Sequence, residues 1–231
     1  MSTEFEEAIV EEIPGMVYVL SVIDDEENDS MPGIISHVED YELPDHFVRR
    51  REAGGGVTTY ALLKVLESMK YENGSRKKKI TWADALDIMH EEIEDEGRRR
   101  LLPTLSTSRP INVREERVRL ISNSKRGTKR ALLIAAHYQD EADEDVWLAS
   151  CHTDLRRMRH HLIHEEGFEK KNLLVLMDDD RHVEPTKFLI LDALEKLCHI
   201  SKPGDSIFVY FSGKHYHNST SRARNLFFSF A

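Results

Sequence analysis

The sequence predicts an α/β fold, and two observations carry that prediction. Three apolar runs, RALLIAAHY (130–138), NLLVLMDDD (172–180) and DSIFVYFSG (205–213), alternate with two helical patterns, ASCHTDLRRMRHHLIHEEGF (149–168) and EPTKFLILDALEKLCHI (184–200). Each run is apolar almost throughout rather than at every second position. That is the pattern of strands covered on both faces, as in a mostly parallel sheet with helical crossovers. The 231 residues, 40% of them hydrophobic, suffice for one sizeable core of this kind or two small ones.

The remaining elements follow in order. GMVYVLSVI (15–23), rich in β-branched and aromatic residues after Pro14, reads as a buried strand. An acidic loop (24–33) and an irregular stretch (34–53) come next. GGGVTTYALLKVLESMK (54–70) opens on glycines and places Val57, Tyr60, Ala61, Leu63 and Val65 on the buried side of a helix. After the turn and basic run of 72–79, TWADALDIMHEEIEDEG (81–97) forms a second helix with Thr81 as its N-cap. LLPTLSTSRPINV (101–113) is extended and broken by two prolines. Residues 114–129 are basic and weakly patterned, a linker in which trypsin should cut between Lys125 and Arg130. Gly167 closes the 149–168 helix, and Pro185 falls in the first turn of the 184–200 helix.

Composition excludes some functions. The formal charge of −10 argues against nucleic acid as the main partner, because phosphate binding needs a basic surface. No apolar run approaches the roughly 20 residues that span a bilayer. Met1–Glu12 is acidic where a secretory signal would be basic and then apolar. With two cysteines, Cys151 and Cys198, the expectation is a reduced, cytoplasmic protein without membrane or nucleic-acid partners. Ligands of parallel sheets sit at the carboxyl ends of the strands, which places Tyr138, Asp178–Asp180 and Ser212-Gly213 on the functional edge.

The blocks KRALLIAAHY, LASCHTDLRRMRHHL, NLLVLMDDD, PTKFLILDALEKL and KPGDSIFVYFSG resemble, in order and spacing, the opening of the metacaspase large subunit. GMVYVLSVIDDEENDS, GGGVTTYALLKVLE and LPTLSTSRPINV resemble the small subunit, here placed first, as in the permuted type III metacaspases. The resemblance implies an α/β caspase-like, mostly parallel sheet with helices on both faces. It divides the chain into a small-subunit-like region (1–113), a linker (114–129), the first part of a large-subunit-like domain (130–213) and a tail (214–231).

The family's chemistry is cysteine endopeptidase cleavage after Arg or Lys, with a histidine to move the proton of a thiolate nucleophile. The family's histidine follows the third strand in Ser-Gly-His-Gly. Here Ser212-Gly213 leads to Lys214 and His215. The strand and cysteine that come next in the family have no counterpart, so the chain is expected to lack its catalytic dyad. The tail is either the translation of a retained intron or true divergence. The resemblance implies a substrate pocket at Cys151, Asp154 and Ser212, in which Asp154 pairs with a basic substrate side chain. The pocket is favoured over the alternative, that Asp154 only stabilises the first turn of its helix through the dipole. The calcium that the family often uses has lost its loop here, and no cofactor is expected. Expected partners are an Arg- or Lys-containing peptide or protein, or a caspase-like homologue.

Other candidates read as structural. Cys151 is more readily a buried thiol than a nucleophile, and Cys198 a core residue on an apolar helix face. His160, His161 and His164 form a solvated basic face rather than a metal set, and Asp178–Asp180 are solvated loop acids. With the dyad strand missing, 16–22 is expected to close up against 205–211, ahead of replacement by residues 218–231, the third outcome being separation of the two halves. In each case the isolated chain is expected to be weakly stable and prone to self-association.

Overall fold

The computed structural model describes residues 17–24, 56–69, 79–95, 101–119, 127–137, 150–217 and 220–230. Tyr138, Asp25, the rest of the acidic loop and residues 120–126 of the linker lie outside them. The strands are β1 (Val17–Asp24), β2 (Leu101–Thr107), β3 (Lys129–Ala135), β4 (Leu173–Met177), β5 (Ser206–His217) and β6 (Thr220–Phe230). The helices are α1 (Val57–Ser68), α2 (Trp82–Asp95), α3 (Ser150–His164) and α4 (Lys187–Ile200).

All six strands form one sheet in the order β2-β1-β6-β5-β3-β4. β4, β3 and β5 are parallel, with Ala131 opposite Leu173 on one side and Phe208 on the other. β6 runs antiparallel to both β5 and β1, and β1 antiparallel to β2. The parallel character read from the three apolar runs is thus confined to those three strands.

The apolar runs are apolar because both sheet faces are covered. Ala131, Leu133 and Ala135 of β3 join a core with Leu62 and Leu66 of α1, Met89 and Ile93 of α2, and Leu155 and Met158 of α3. Leu132 and Ile134 point the other way, against Ala193 and Leu197 of α4. The period-2 alternation of a strand puts the two sets on opposite faces. The edge strand β2 accommodates Pro103, whose ring removes a backbone donor that the outer side of the sheet does not need.

The helix ends follow from local chemistry. Thr81 caps α2 as expected, and Asp84 completes the box: Asp84 N–H donates to Thr81 Oγ1 (3.2 Å) while Thr81 N–H donates to Asp84 Oδ2 (2.9 Å). α3 ends where Gly167 takes φ 71°, and Phe168 N–H reaches back to Leu162 O. α4 is capped by Thr186 Oγ1, which accepts from Leu189 N–H, so Pro185 precedes the helix rather than sitting in its first turn. Residues 113–118 pack on the start of α2 through Ala83 N–H to Val113 O, Trp82 N–H to Glu116 O and Val118 N–H to Ile80 O. Lys129 and Arg130 belong to β3, so trypsin can reach them only by opening a strand.

Three expectations are corrected. β5 does not stop at Gly213 but runs to His217, because a long antiparallel partner satisfies its backbone. β1 does not slide against β5. β6 lies between them, with Leu226–Phe230 paired to both strands, so two rows of backbone groups that closing up would have had to re-register are bonded. The unpaired central edges behind the expected self-association are therefore covered. Cys198 is exposed, because α4 turns Leu197 inward and the next residue lies about 100° around the helix.

Candidate functional site

α3 begins at the carboxyl end of β3 and carries, in its first turns, two of the three residues expected to form a substrate pocket. Cys151 is fully buried. Burial pushes its thiol well above the usual range, and the carboxylates of Asp178 and Asp154 add to the effect. A thiol held protonated in this way is not a nucleophile. Asp154 is 1% exposed, and its Oδ1 accepts from Gly56 N–H (2.8 Å) at the start of α1. A Cβ at Gly56 would stand 2.5 Å from Asp154 Oδ2, so glycine is what lets the α1 backbone approach the carboxylate.

Ser212, near the carboxyl end of the parallel stretch of β5, is also buried. Beside it Tyr210 OH and Thr59 Oγ1 share a 2.9 Å hydrogen bond. Asp154 Oδ2 and Ser212 Oγ have no hydrogen-bond partner. Burial drives the Asp154 carboxyl up to about 7, against the Gly56 N–H and the Arg157 guanidinium, which favour its charged form. The structure places Asp154, Tyr210, Thr59 and Gly56 in one polar group under the α1 and α3 N-termini. Its chemical capacity is that of a hydrogen-bonding, acidic floor.

A second group at the same sheet edge was not read from the sequence. His137 N–H donates to both oxygens of Asp178 (2.8 and 2.7 Å), and His152 Nε2 lies 2.7 Å from Asp178 Oδ1. The two imidazoles meet edge to face, 5.3 Å apart. Burial and the neighbouring His152 lower the His137 pKa. The available signal was a histidine at the end of one strand and another at the start of the following helix. Asp178 is thus bonded rather than solvated, and so is Asp179. Burial works against the charge of Asp179, but His182 and the N–H groups of Arg181 and His182 hold its carboxyl below the ordinary value. Among the described residues no group of three or more His, Cys, Asp or Glu is placed to hold a metal. His161, expected on a solvated face, is buried and faces Glu166 at 3.5 Å.

At the position where the family presents its histidine, Lys214 pairs with Ala223 and His215 with Arg222 in the β5–β6 ladder. The sheet with helices on both faces, and with its functional groups gathered at the carboxyl ends of the parallel strands, is that of a caspase-like α/β protein. A family model described as metacaspase, peptidase C14 domain, matches residues 129–226 and so continues past Gly213. Metacaspase III c of Phaeodactylum tricornutum is 33% identical over 181 residues, 78% of this chain and 50% of that protein. Metacaspase-6 of Arabidopsis thaliana is 40% identical over 86 residues (37% of this chain, 23% of that protein). Metacaspase-1A of Aspergillus oryzae is 35% identical over 89 residues (38% and 20%). The chain is a metacaspase-like protein. The alignment with it spans half the length of the Phaeodactylum protein and about a fifth of the other two. No helix of the described residues is long and apolar enough to cross a membrane.

Proposed function

We propose that this chain is a caspase-like protein of the cysteine-endopeptidase lineage that does not itself cut peptide bonds. One observation carries the reading: after Ser212-Gly213 the backbone continues as a strand through His217, paired along its length with β6. A residue in a ladder between two strands is not presented to a scissile carbonyl as a loop histidine is. Cys151, the nearest thiol to the pocket floor, is held protonated. What remains is recognition. In this reading Cys151, Asp154 and Ser212 are the family's pocket for a basic side chain, and the chain serves as a non-catalytic module that pairs with an active homologue.

The test is hydrolysis of a fluorogenic Arg-containing peptide by the purified chain with calcium present. No turnover is expected, together with co-purification of a full-length caspase-like relative. Turnover that is abolished by Cys151→Ala would overturn the reading.

A further inference from the structure

α4 has a covered side and an uncovered apolar stripe. Ala193 and Leu197 pack with Leu132 and Ile134 of β3, and Ile190 and Leu194 lie beside them. Phe188 and Leu191 do not join that core: they are 76% and 55% exposed. Glu195 and Cys198 are exposed as well. At 3.6 residues per turn, positions 188, 191, 195 and 198 run down one line of the helix, with the alternating three- and four-residue spacing of a helix–helix seam. Single exposed apolar residues are ordinary, but two large ones in consecutive turns of one stripe mark an interaction surface.

The charges beside the stripe say what fits it. Lys187 stands four residues before Leu191 and Glu195 four residues after it, about 6 Å to either side along the axis. A two-fold axis through Leu191 runs a second α4 antiparallel to the first. Lys187 of each copy then meets Glu195 of the other, and Leu191 meets Leu191. Other registers are worse. An axis midway between Phe188 and Leu191 sets Glu195 against residue 184 of the second copy, another glutamate. An axis midway between Leu191 and Glu195 covers each glutamate with a leucine. A parallel pairing puts Glu195 beside Glu195. Asp192 and Lys196, further round the helix, bond each other at 2.6 Å. Glu195 has His199 at 3.5 Å with both side chains largely exposed, a contact that water screens and a lysine can replace.

We propose that this face of α4 is the docking site for a second copy of the same chain, which joins it antiparallel about a two-fold axis at Leu191, with two reciprocal Lys187–Glu195 pairs. The inference does not depend on the substrate pocket or on catalysis. Phe188 and Leu191 supply the affinity, and the charges fix direction and register. One helix face is a small interface, so the dimer is weak, with a dissociation constant on the order of 100 μM.

The experiment is sedimentation velocity on the full chain from roughly 5 to 500 μM, with circular dichroism to check the fold of each variant. The wild type should show a reversible monomer–dimer equilibrium. Phe188→Ser/Leu191→Ser should stay monomeric. Lys187→Glu should weaken association roughly ten-fold, and Lys187→Glu/Glu195→Lys should restore it. If the serine variant does not fold, the charge reversals decide alone. In a Cys198→Ser background, Leu191→Cys brings two thiols to the axis, where a short bis-maleimide should link the copies. Cys198 of the wild type lies seven residues from the axis, about 21 Å from its mate along the helices, and should not be linked. A chain that stays monomeric throughout would overturn the proposal. So would a dimer that survives the loss of Phe188 and Leu191, a charge reversal that its reciprocal does not restore, open polymers in place of a dimer, or linkage through Cys198.

Discussion

Two carboxylates, one fully buried under the first turns of α3 and one only partly buried where β3 and β5 begin, titrate in opposite directions. Asp205 accepts from Thr128 N–H (2.7 Å), Lys202 N–H (3.0 Å) and Arg130 Nε (3.2 Å). Burial opposes its charge, but these donors win and its pKa falls. Asp154 has one backbone donor and an unpartnered oxygen, and there burial wins. Depth and supply of donors together separate the two. Asp205 is spent on fixing the start of the sheet. Asp154 is left with one backbone donor and no partner on its second oxygen.

The largest way to break this comparison is Asp154→Asn. A pKa raised from 3.8 to about 7 in the folded chain means that ionisation costs stability. The contribution is present in full below the unfolded value and is lost as pH rises through 7, on the order of 4 kcal/mol between the two limits. Denaturant unfolding from pH 4 to 8 should show the wild type losing stability relative to Asp154→Asn by several kcal/mol. Parallel curves would mean that Asp154 ionises normally.

Asp205→Ala should cost about 2 kcal/mol at neutral pH, from lost charge-assisted hydrogen bonds. Because the folded pKa of Asp205 is depressed, its contribution exists above the unfolded value and disappears as pH falls through the folded one. Urea midpoints of this variant and the wild type should therefore converge in acid. A constant gap would assign the loss to packing.

The smallest effect sharpens the reference frame. Thr81→Ala removes one side of a capping box remote from both carboxylates and should cost about 1 kcal/mol without changing the pH profile. A changed profile would show that the α2 terminus is coupled to the pocket.

How much was legible in the sequence depended on how local each feature is. β3, β4, α3 and the cap at Thr81 could be read because an apolar run or a Thr-x-x-Asp spacing is written in adjacent residues. The contact of Gly56 with Asp154 spans 98 positions, and Thr59 with Tyr210 spans 151, so no local pattern announces either. Resemblance to a family brought Asp154 and Ser212 forward; periodicity did not. The burial of His161 was missed because histidine pairs alternate inward and outward on a helix that is polar on average. As a substitute strand the tail ranked behind closing-up of 16–22, because TSRARNLFFSF lacks a strand's alternation over its first half. Its placement comes from the vacancy between β5 and β1, a property of the sheet rather than of the segment.

That placement makes β6 a central strand of the caspase-like sheet, and amide hydrogen exchange tests it most directly. The backbone of Leu226–Phe230 is paired on both sides, to Val17–Ser21 and to Ile207–Phe211. Protection of these five amides should match that of Ile207–Phe211 and be lost with them in one cooperative opening. Exchange of 226–230 at the rate of an unstructured peptide, while 207–211 stays protected, would contradict it.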